Sequence, residues 1–302
     1  MFDALLPQYT YRRLGVRLAA NWLKGNNSLR NRLNLKNWSY FRRYSGTRIA
    51  CNVCGETSKA FFDFPDLELR RDHRIGELRE TLQCNRCGAT MRHRTLASAM
   101  LRIVSAVHGQ PLSSLREAAA LGFGNLRVLD TDSFSPISTL LRQLPSYIVS
   151  SFVPAQPFDI ELEPNRYNVN LERMGFADSS FDMVISSDVA EHVRGIDAAH
   201  REISRVLRPG GHYVFTAPFD PKCLTHHVLV DTSGPQDVYL VPKQFHGDPL
   251  TGGILAYRVF GRAIHSDLAA VGLRTEFLCL NNDQALIVDG DVFIAEKLTL
   301  RP

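Results

Sequence analysis

Strand-like and helix-like patterns alternate through the C-terminal two thirds of this 302-residue chain. Short apolar runs are separated by segments with apolar residues at helical spacing, which predicts a mostly parallel sheet with helices on both faces. The predicted strands are residues 126–130, 147–152, 167–171, 181–186, 212–217, 275–280 and 291–297, and the main predicted helices are 95–104, 196–207 and 261–271. No helix pattern separates the last two strands, which favours an antiparallel hairpin at the sheet edge.

Four of the six cysteines form two C-x-x-C pairs, Cys51 with Cys54 and Cys84 with Cys87. Two residues between ligands allow one tight turn to aim both thiolates at one ion, and four thiolates complete a closed tetrahedral zinc site. A glycine follows each pair, where such a turn often needs a positive φ. A structural zinc ribbon is therefore the favoured prediction. A redox C-x-x-C motif and cysteines without a metal are the alternatives.

Charge is distributed unevenly along the chain. The first 50 residues contain ten Lys and Arg residues and one acidic residue, whereas the whole chain carries a net charge of only +4. Apolar residues, including Trp22, lie among these charges, so residues 1–48 are predicted to be a basic helical arm that contacts an anionic or membrane surface. The alternative is a solvated helix that packs on its own protein. The sequence shows neither a membrane-spanning run nor a secretory signal, which favours a cytoplasmic protein with peripheral membrane attachment.

Two segments carry a family resemblance. Residues 176–193, around the fourth predicted strand, are Phe-Ala-Asp-Ser-Ser-Phe-Asp-Met-Val-Ile-Ser-Ser-Asp-Val-Ala-Glu-His-Val. Residues 205–218, which lead from a helix into the fifth strand, are Arg-Val-Leu-Arg-Pro-Gly-Gly-His-Tyr-Val-Phe-Thr-Ala-Pro. In this order and at this distance they resemble class I S-adenosylmethionine-dependent methyltransferases of the type 11 subgroup. A zinc-knuckle segment like residues 84–94, which ends in Arg-His-Arg, precedes this domain in a bacterial subgroup.

The resemblance implies a Rossmann-like α/β fold in residues 118–302, with a mostly parallel seven-stranded sheet and helices on both faces. A zinc ribbon and linker helix, residues 49–108, and the basic arm would precede it. S-adenosylmethionine is the implied cofactor, bound at the carboxyl ends of the first four strands, where open parallel sheets bind their ligands. The residues expected to bind it are Asp130, Asp132, Ser151, Asn170, Leu171 and Asp188.

Specific contacts follow from the same resemblance. Asn170 would contact the adenine amino group, with the Leu171 backbone beside it, and Ser151 would lie near the ribose. Asp130 or Asp132 would lie near the methionine amino group. The implied acceptor is a small molecule or a glycan, and many members of the bacterial subgroup resemble enzymes of surface-polysaccharide synthesis.

Two departures from the family pattern keep other functions open. The loop after the first strand, Val-Leu-Asp-Thr-Asp-Ser-Phe-Ser-Pro at residues 128–136, lacks the expected glycines, and the second strand lacks an acidic residue for the ribose hydroxyls. The alternative is a non-catalytic, methyltransferase-like, zinc-binding scaffold. A nucleic-acid-binding zinc protein is a weaker alternative, which rests on the basic arm and on Arg86, Arg92 and Arg94.

A hydroxyl acceptor also needs a general base. His192 follows the fourth strand, close to the expected crevice, and His246 lies in a long segment inserted after the fifth strand, where loops usually cover an active site. Both histidines are therefore candidate catalytic residues, and His226 and His227 are weaker candidates. A capping or packing role for His192 and a turn role for His246 are the structural alternatives.

Overall fold

The computed structural model describes residues 46–62, 78–246 and 253–299. Residues 1–45, and with them almost all of the predicted basic arm, lie outside this range. Within the described residues, no helix is both long and apolar enough to cross a membrane.

The cysteine pairs lie in a small antiparallel sheet that precedes the main one. Its strands, in the order β1-β2-β3, are β1 (Arg48–Ala50), β2 (Thr57–Phe62) and β3 (Leu82–Cys84), with the short helix α1 (Leu78–Thr81) before β3. Helix α2 (Met91–His108) follows directly. Thr90 caps its N-terminus by accepting from the His93 N–H, and Gly109 ends it in the left-handed conformation with a φ of 66°.

The main sheet has eight strands. In chain order they are β4 (Val128–Asp130), β5 (Tyr147–Ser151), β6 (Ile160–Glu163), β7 (Arg166–Asn168), β8 (Phe181–Ser187), β9 (Leu207–Thr216), β16 (Leu273–Asn282) and β17 (Ile287–Lys297). Across the sheet they lie in the order β16-β17-β9-β8-β4-β5-β7-β6. The five central strands β9, β8, β4, β5 and β7 are parallel, and β6, β17 and β16 are antiparallel to their neighbours.

Helices cover both faces of this sheet. They are α3 (Leu115–Ala120), α4 (Pro136–Leu141), α5 (Ile196–Val206) and α6 (Ile264–Ala270), together with α2 and the 3-10 turns Gly122–Asn125 and Ala190–His192. Because neighbouring strand residues point to opposite faces, Val128 packs into a core with α2, α3 and α4, whereas Leu129 packs into a second core with α5 and α6.

A segment inserted between β9 and α6 forms three short two-stranded ribbons. They pair β10 (His227–Val228) with β15 (Arg258–Val259), β11 (Val230–Asp231) with β12 (Val238–Tyr239), and β13 (Phe245–His246) with β14 (Ile254–Leu255). Exposed apolar side chains such as Leu224, Val238 and Leu240 lie along it.

The predicted Rossmann-like fold is confirmed, including the antiparallel hairpin of the last two strands at one edge. The sheet has one strand more than expected, because the edge strand β6 is only four residues long and is mostly exposed, so its apolar–polar alternation is too short to indicate a strand. β9 begins at Leu207 and runs through the Pro-Gly-Gly segment, where a Cβ on Gly211 would lie only 2.9 Å from the Arg208 carbonyl oxygen. Helix α2, which the sequence analysis assigned to the linker, packs on the main sheet and shares its hydrophobic core.

Candidate functional site

The strand order of the main sheet reverses between β4 and β8. From β4 the chain continues outward to β5 and β7, whereas β8 lies on the other side of β4 and leads to β9. Open parallel sheets bind ligands at such a reversal, outside the carboxyl ends of the strands. The segments that follow β4, β5, β7 and β8 therefore form the candidate crevice, and they contain the cofactor residues predicted from the sequence.

The loop between β4 and α4 turns without glycine. Asp130 Oδ1 accepts a hydrogen bond from the Asp132 N–H at 2.9 Å, and Asp132 Oδ1 accepts one from the Phe134 N–H at 3.2 Å. Ser135 then caps α4. No residue from 131 to 136, all of which the structure describes, has a positive φ. Side-chain turns thus replace the backbone freedom that glycine would provide here.

Asp130 is turned into the protein. Its Oδ2 accepts a hydrogen bond from the Tyr147 hydroxyl at 2.6 Å, and the residue is only 2% exposed. Burial and the neighbouring Asp132 carboxylate raise the pKa of Asp130 well above its usual range. One carboxyl oxygen of Asp130 thus holds the loop and the other binds Tyr147 in β5. Asp132, which is partly exposed, is therefore the better placed of the two for a methionine amino group.

Ser151 ends β5 beside two polar side chains. Its Oγ lies 2.8 Å from Ser133 Oγ and accepts a hydrogen bond from Arg166 Nη1 at 3.4 Å. A cavity of about 300 Å³, lined in part by Ser133, Val149 and Arg166, adjoins this cluster. Ser151, which is predicted to lie near the ribose, therefore contacts Ser133 and Arg166, two residues that the sequence analysis did not single out.

The segment after β7 is held by two asparagines. Asn168 is completely buried, and its amide group donates to three backbone carbonyls of the loop after β5. Asn170 Oδ1 accepts from the Glu172 N–H at 2.9 Å, and Leu171 packs against the core. The adenine contact of Asn170 and Leu171 stays a prediction.

Asp188 follows β8 with a φ of 54° and is held by two arginines. Arg79 forms a bidentate ion pair with it, with Nη2 donating to Oδ1 at 2.6 Å and Nη1 to Oδ2. Arg92 Nε lies 3.5 Å from Oδ2, and the Thr216 hydroxyl donates to Oδ1 at 2.8 Å. Burial alone would raise the pKa of Asp188, but the two guanidinium groups more than offset it and hold the pKa well below its usual range. Asp188 is therefore ionised at neutral pH.

The region that contains the cysteine pairs reaches the crevice through Arg79 and Arg92, and Arg94 anchors it. Arg94 is completely buried. Its guanidinium group donates to four backbone carbonyl oxygens at 2.6 to 3.2 Å, those of Leu82, Ala89, Ala285 and Leu286. The first two belong to the cysteine region and the last two to the β16–β17 turn, so Arg94 joins these segments. Arg92 and Arg94 are thus committed inside the protein, which weakens the nucleic-acid alternative.

The four cysteines predicted as zinc ligands come together. Their Sγ atoms all lie within 4.8 Å of one another, with Cys51 and Cys87 at 3.7 Å and Cys54 and Cys84 at 3.9 Å. Four sulfurs bound at about 2.3 Å in tetrahedral geometry lie about 3.8 Å apart. The glycine after each pair has a positive φ, 74° and 75°. The spacing and the soft thiol donors fit a zinc ion.

The two favoured candidate bases also come together. His192 lies in the turn after β8, and β13 supplies His246, so that His192 Nε2 and His246 Nδ1 are 3.2 Å apart. Each of these nitrogens lies 3.6 Å from Glu191 Oε1. His192 Nδ1 lies 2.8 Å from the Leu255 carbonyl oxygen, which can only accept, so Nδ1 carries a hydrogen and Nε2 of the neutral ring presents a lone pair. The Glu191 carboxylate raises the pKa of His246.

The weaker candidates have structural partners instead. His226 Nε2 lies 2.6 Å from Asp267 Oδ2, and its Nδ1 accepts from the Gly261 N–H. His227 Nε2 lies 3.2 Å from Asp220 Oδ2. These contacts hold the two ends of the inserted segment.

Sequence reasoning missed Glu191 and Arg79. Glu191 stands inside the quoted methyltransferase segment beside His192, but its burial is visible only in three dimensions. Arg79 lies in a charged stretch that carries no motif.

The chain is similar to a known domain family and to several known proteins. The methyltransferase domain family matches residues 154–215. A highly reducing polyketide synthase of Cordyceps militaris is 27% identical over 155 residues, which are 48% of this chain, and the chain spans only 6% of that protein. The uncharacterized protein YafE of Escherichia coli is 42% identical over 50 residues, 17% of this chain and 24% of that protein.

Two solved structures are also similar. An amino pentose methyltransferase of Micromonospora echinaspora with bound S-adenosylmethionine has a TM-score of 0.42 at 13% identity, covering 70% of this chain and 92% of that one. A 1,6-didemethyltoxoflavin-N1-methyltransferase of Burkholderia thailandensis has a TM-score of 0.34 at 15% identity, covering 67% and 79%. The family match lies between β5 and β9, in a sheet whose strand order reverses between β4 and β8. In this central part the chain is similar to the methyltransferase domain that its sequence resembles.

Proposed function

We propose that this protein is an S-adenosylmethionine-dependent methyltransferase that acts on a hydroxyl of a small-molecule or glycan acceptor. The observation that carries the proposal is the crevice at the strand reversal, in a sheet that contains the family match. Polar residues end the strands there, and a His–His–Glu cluster lies directly beyond β8. A role in surface-polysaccharide synthesis is proposed from the sequence resemblance.

The crevice residues divide into binding and activating groups. Asp132 receives the amino group of the methionine moiety, Ser151 with Ser133 and Arg166 holds the ribose, and Asn170 with the Leu171 backbone holds the adenine. Asp188, fixed by two arginines, supports the turn that carries His192. The cofactor, when bound, supplies a methyl group attached to a positively charged sulfur, and this sulfur is a good leaving group. The chain has mainly to align the acceptor oxygen with that methyl group, and alignment accounts for roughly 7 to 11 kcal/mol of barrier lowering.

The acceptor hydroxyl must lose its proton, and the histidine cluster is placed to assist. His192 Nε2 presents a lone pair, and His246 is partly exposed at the inserted segment. The inserted segment contacts the turn after β8 through His246 and His192.

We also propose that Cys51, Cys54, Cys84 and Cys87 bind a structural zinc ion. The sulfur distances support it, and so does the charge balance around Arg94. The Arg94 side chain donates only to backbone carbonyl oxygens, and negative charge on Cys51, Cys84 and Cys87 favours the ionised form of its guanidinium group. A zinc ion with four thiolates has a net charge of about −2, which compensates a buried guanidinium.

One observation favours the scaffold alternative. Asp130 and Asp188, two of the predicted cofactor residues, already have their carboxylates engaged by Tyr147, Arg79 and Arg92. A chain that uses these groups internally can keep the fold without binding the cofactor.

An assay of methyl transfer distinguishes the enzyme from the non-catalytic scaffold. Incubation of the zinc-loaded protein with S-adenosylmethionine and a panel of sugar, amine and lipid-head-group acceptors should release S-adenosylhomocysteine with sugar hydroxyls. His246→Ala should reduce the rate by about 100-fold or more, the usual contribution of a proton-accepting side chain. His226→Ala, which removes a histidine paired with Asp267, is the matched control and should keep its rate. A protein that releases no product with any acceptor favours the scaffold.

We propose further that the protein is cytoplasmic and that the basic arm attaches it to the membrane surface. Lys and Arg residues near an anionic surface contribute about 1 kcal/mol each. Full-length protein should therefore co-sediment with phosphatidylserine vesicles at low salt and dissociate at high salt, because salt screens exposed charges. A protein without residues 1–45 should stay in the supernatant, and equal binding of both forms would remove the proposal.

A further inference from the structure

The Glu191 carboxylate is completely buried in the structure, yet no hydrogen-bond donor among the described residues reaches either oxygen. The two nearby arginines are committed elsewhere. Arg79 donates to Asp188 and Glu80, and Arg258 donates to the backbone carbonyls of Ala190, Val193 and Arg194. A buried carboxylate is costly unless it coordinates a metal or pairs with a charge.

The atoms that face this carboxylate are ligand atoms. His192 Nε2 and His246 Nδ1 lie 3.6 Å from Glu191 Oε1 and 3.2 Å from each other. Atoms bound at about 2.1 Å to one ion lie roughly 3.0 Å apart in octahedral and 3.4 Å apart in tetrahedral geometry. The three distances therefore enclose a position at bonding distance from all three atoms.

The surroundings orient the ligands. His192 Nδ1 donates to the Leu255 carbonyl oxygen at 2.8 Å, which fixes the ring and leaves Nε2 free to coordinate, as a hydrogen-bonded partner does for a metal-bound histidine. Glu191 and His192 sit in the turn after β8, whereas Leu255 and His246 belong to the β13–β14 ribbon. An ion here would join the inserted segment to the main sheet.

We propose that Glu191, His192 and His246 form a second metal site, which takes a divalent first-row transition-metal ion. Two imidazoles and one carboxylate suit such ions and leave coordination positions open, unlike the closed four-cysteine site. The site deepens the proposed function and rests on it only for its role in catalysis. Because His192 Nε2 and His246 Nδ1 would be ligands, the ion would take the place of the histidine as the activating group. An open coordination position would bind the acceptor hydroxyl and lower its pKa, and the proton would pass to solvent before the methyl transfer.

Metal stoichiometry tests the site directly. Full-length protein dialysed against Zn²⁺ should contain two ions per chain, and Glu191→Gln, which keeps the size of the side chain but removes its charge, should contain one. Mn²⁺, which prefers nitrogen and oxygen ligands over thiolates, should bind wild-type protein that holds a single zinc ion, in the four-cysteine site, at one Mn²⁺ per chain by electron paramagnetic resonance. Glu191→Gln and His246→Ala should weaken Mn²⁺ binding by at least about tenfold, and His226→Ala should not change it.

Two controls make the outcome decisive. Thermal unfolding shows that the variants are folded. Among proteins that already hold zinc in the four-cysteine site, the wild type should gain thermal stability on Mn²⁺ addition, while Glu191→Gln should not. Calorimetry with S-adenosylmethionine is run on the same samples: metal binding without cofactor binding would keep the metal site and remove the enzyme proposal. One zinc ion in the wild type together with no Mn²⁺ binding would overturn the site, and so would a Glu191→Gln variant that binds both ions like the wild type.

Discussion

Cys84→Ser should abolish the cooperative unfolding of the native protein near the wild-type temperature. A structural zinc site contributes on the order of 10 kcal/mol, which is as large as the total stability of many domains. Cys51, Cys54 and Cys84 belong to the same buried cluster as α2 and the sheet residues Val128 and Val292, so loss of the ion exposes one face of the main sheet.

Differential scanning calorimetry and zinc release measured with a chromogenic chelator would show this effect. Cys223→Ser is the matched control, because Cys223 lies in the segment after β9 and outside the four-sulfur cluster. It should retain the zinc ion and the wild-type transition. A folded Cys84→Ser protein with an unchanged transition would contradict the structural role of the ion.

Arg94→Met should lower the free energy of unfolding by roughly 4 kcal/mol or more. Methionine fills much of the volume but donates no hydrogen bond, so four buried carbonyl oxygens lose the bond from Arg94, although the Ala89 oxygen keeps its bond from the Cys84 N–H. Each buried group left unpaired costs about 1 to 3 kcal/mol. Arg94→Lys should recover only a small part of the lost free energy of unfolding. One ammonium group cannot reach carbonyl oxygens on two separate segments, as the forked guanidinium group does.

Urea unfolding measures this loss, and hydrogen exchange at the β16–β17 turn locates it. Arg102→Met is the matched control on the same helix. Arg102 pairs with Glu276 at the surface, with 59% of its side chain exposed, so its loss should cost less than about 1 kcal/mol. An Arg94→Met protein as stable as this control would show that the junction between the cysteine region and the hairpin contributes little.

The elements that the sequence predicts correctly are those whose patterns are local. The strands at 147–152 and 181–186 match β5 and β8 within one residue, because apolar runs bounded by polar turns need no knowledge of distant partners. The doubled C-x-x-C spacing is equally local, and it identifies four residues that lie together.

What the sequence does not predict depends on contacts between distant residues. Arg79 and Asp188 are 109 positions apart, and His192 and His246 are 54 apart, so no spacing rule connects them. Asp130 ends β4 as expected, but only the structure shows that Tyr147 turns its carboxyl group inward. Apolar periodicity likewise places the helix around residues 95–104 without showing that it packs on the main sheet.

Isothermal titration of the zinc-loaded protein with S-adenosylmethionine tests the central claim most directly. We expect one cofactor per chain, and we expect Asn170→Ala to weaken binding by about 1 to 3 kcal/mol, the cost of leaving a buried partner unpaired. Asn281→Ala, an exposed position in the β16–β17 hairpin, should bind like the wild type. Absence of both heat and a thermal shift at millimolar cofactor would contradict the account and leave a methyltransferase fold that serves as a scaffold.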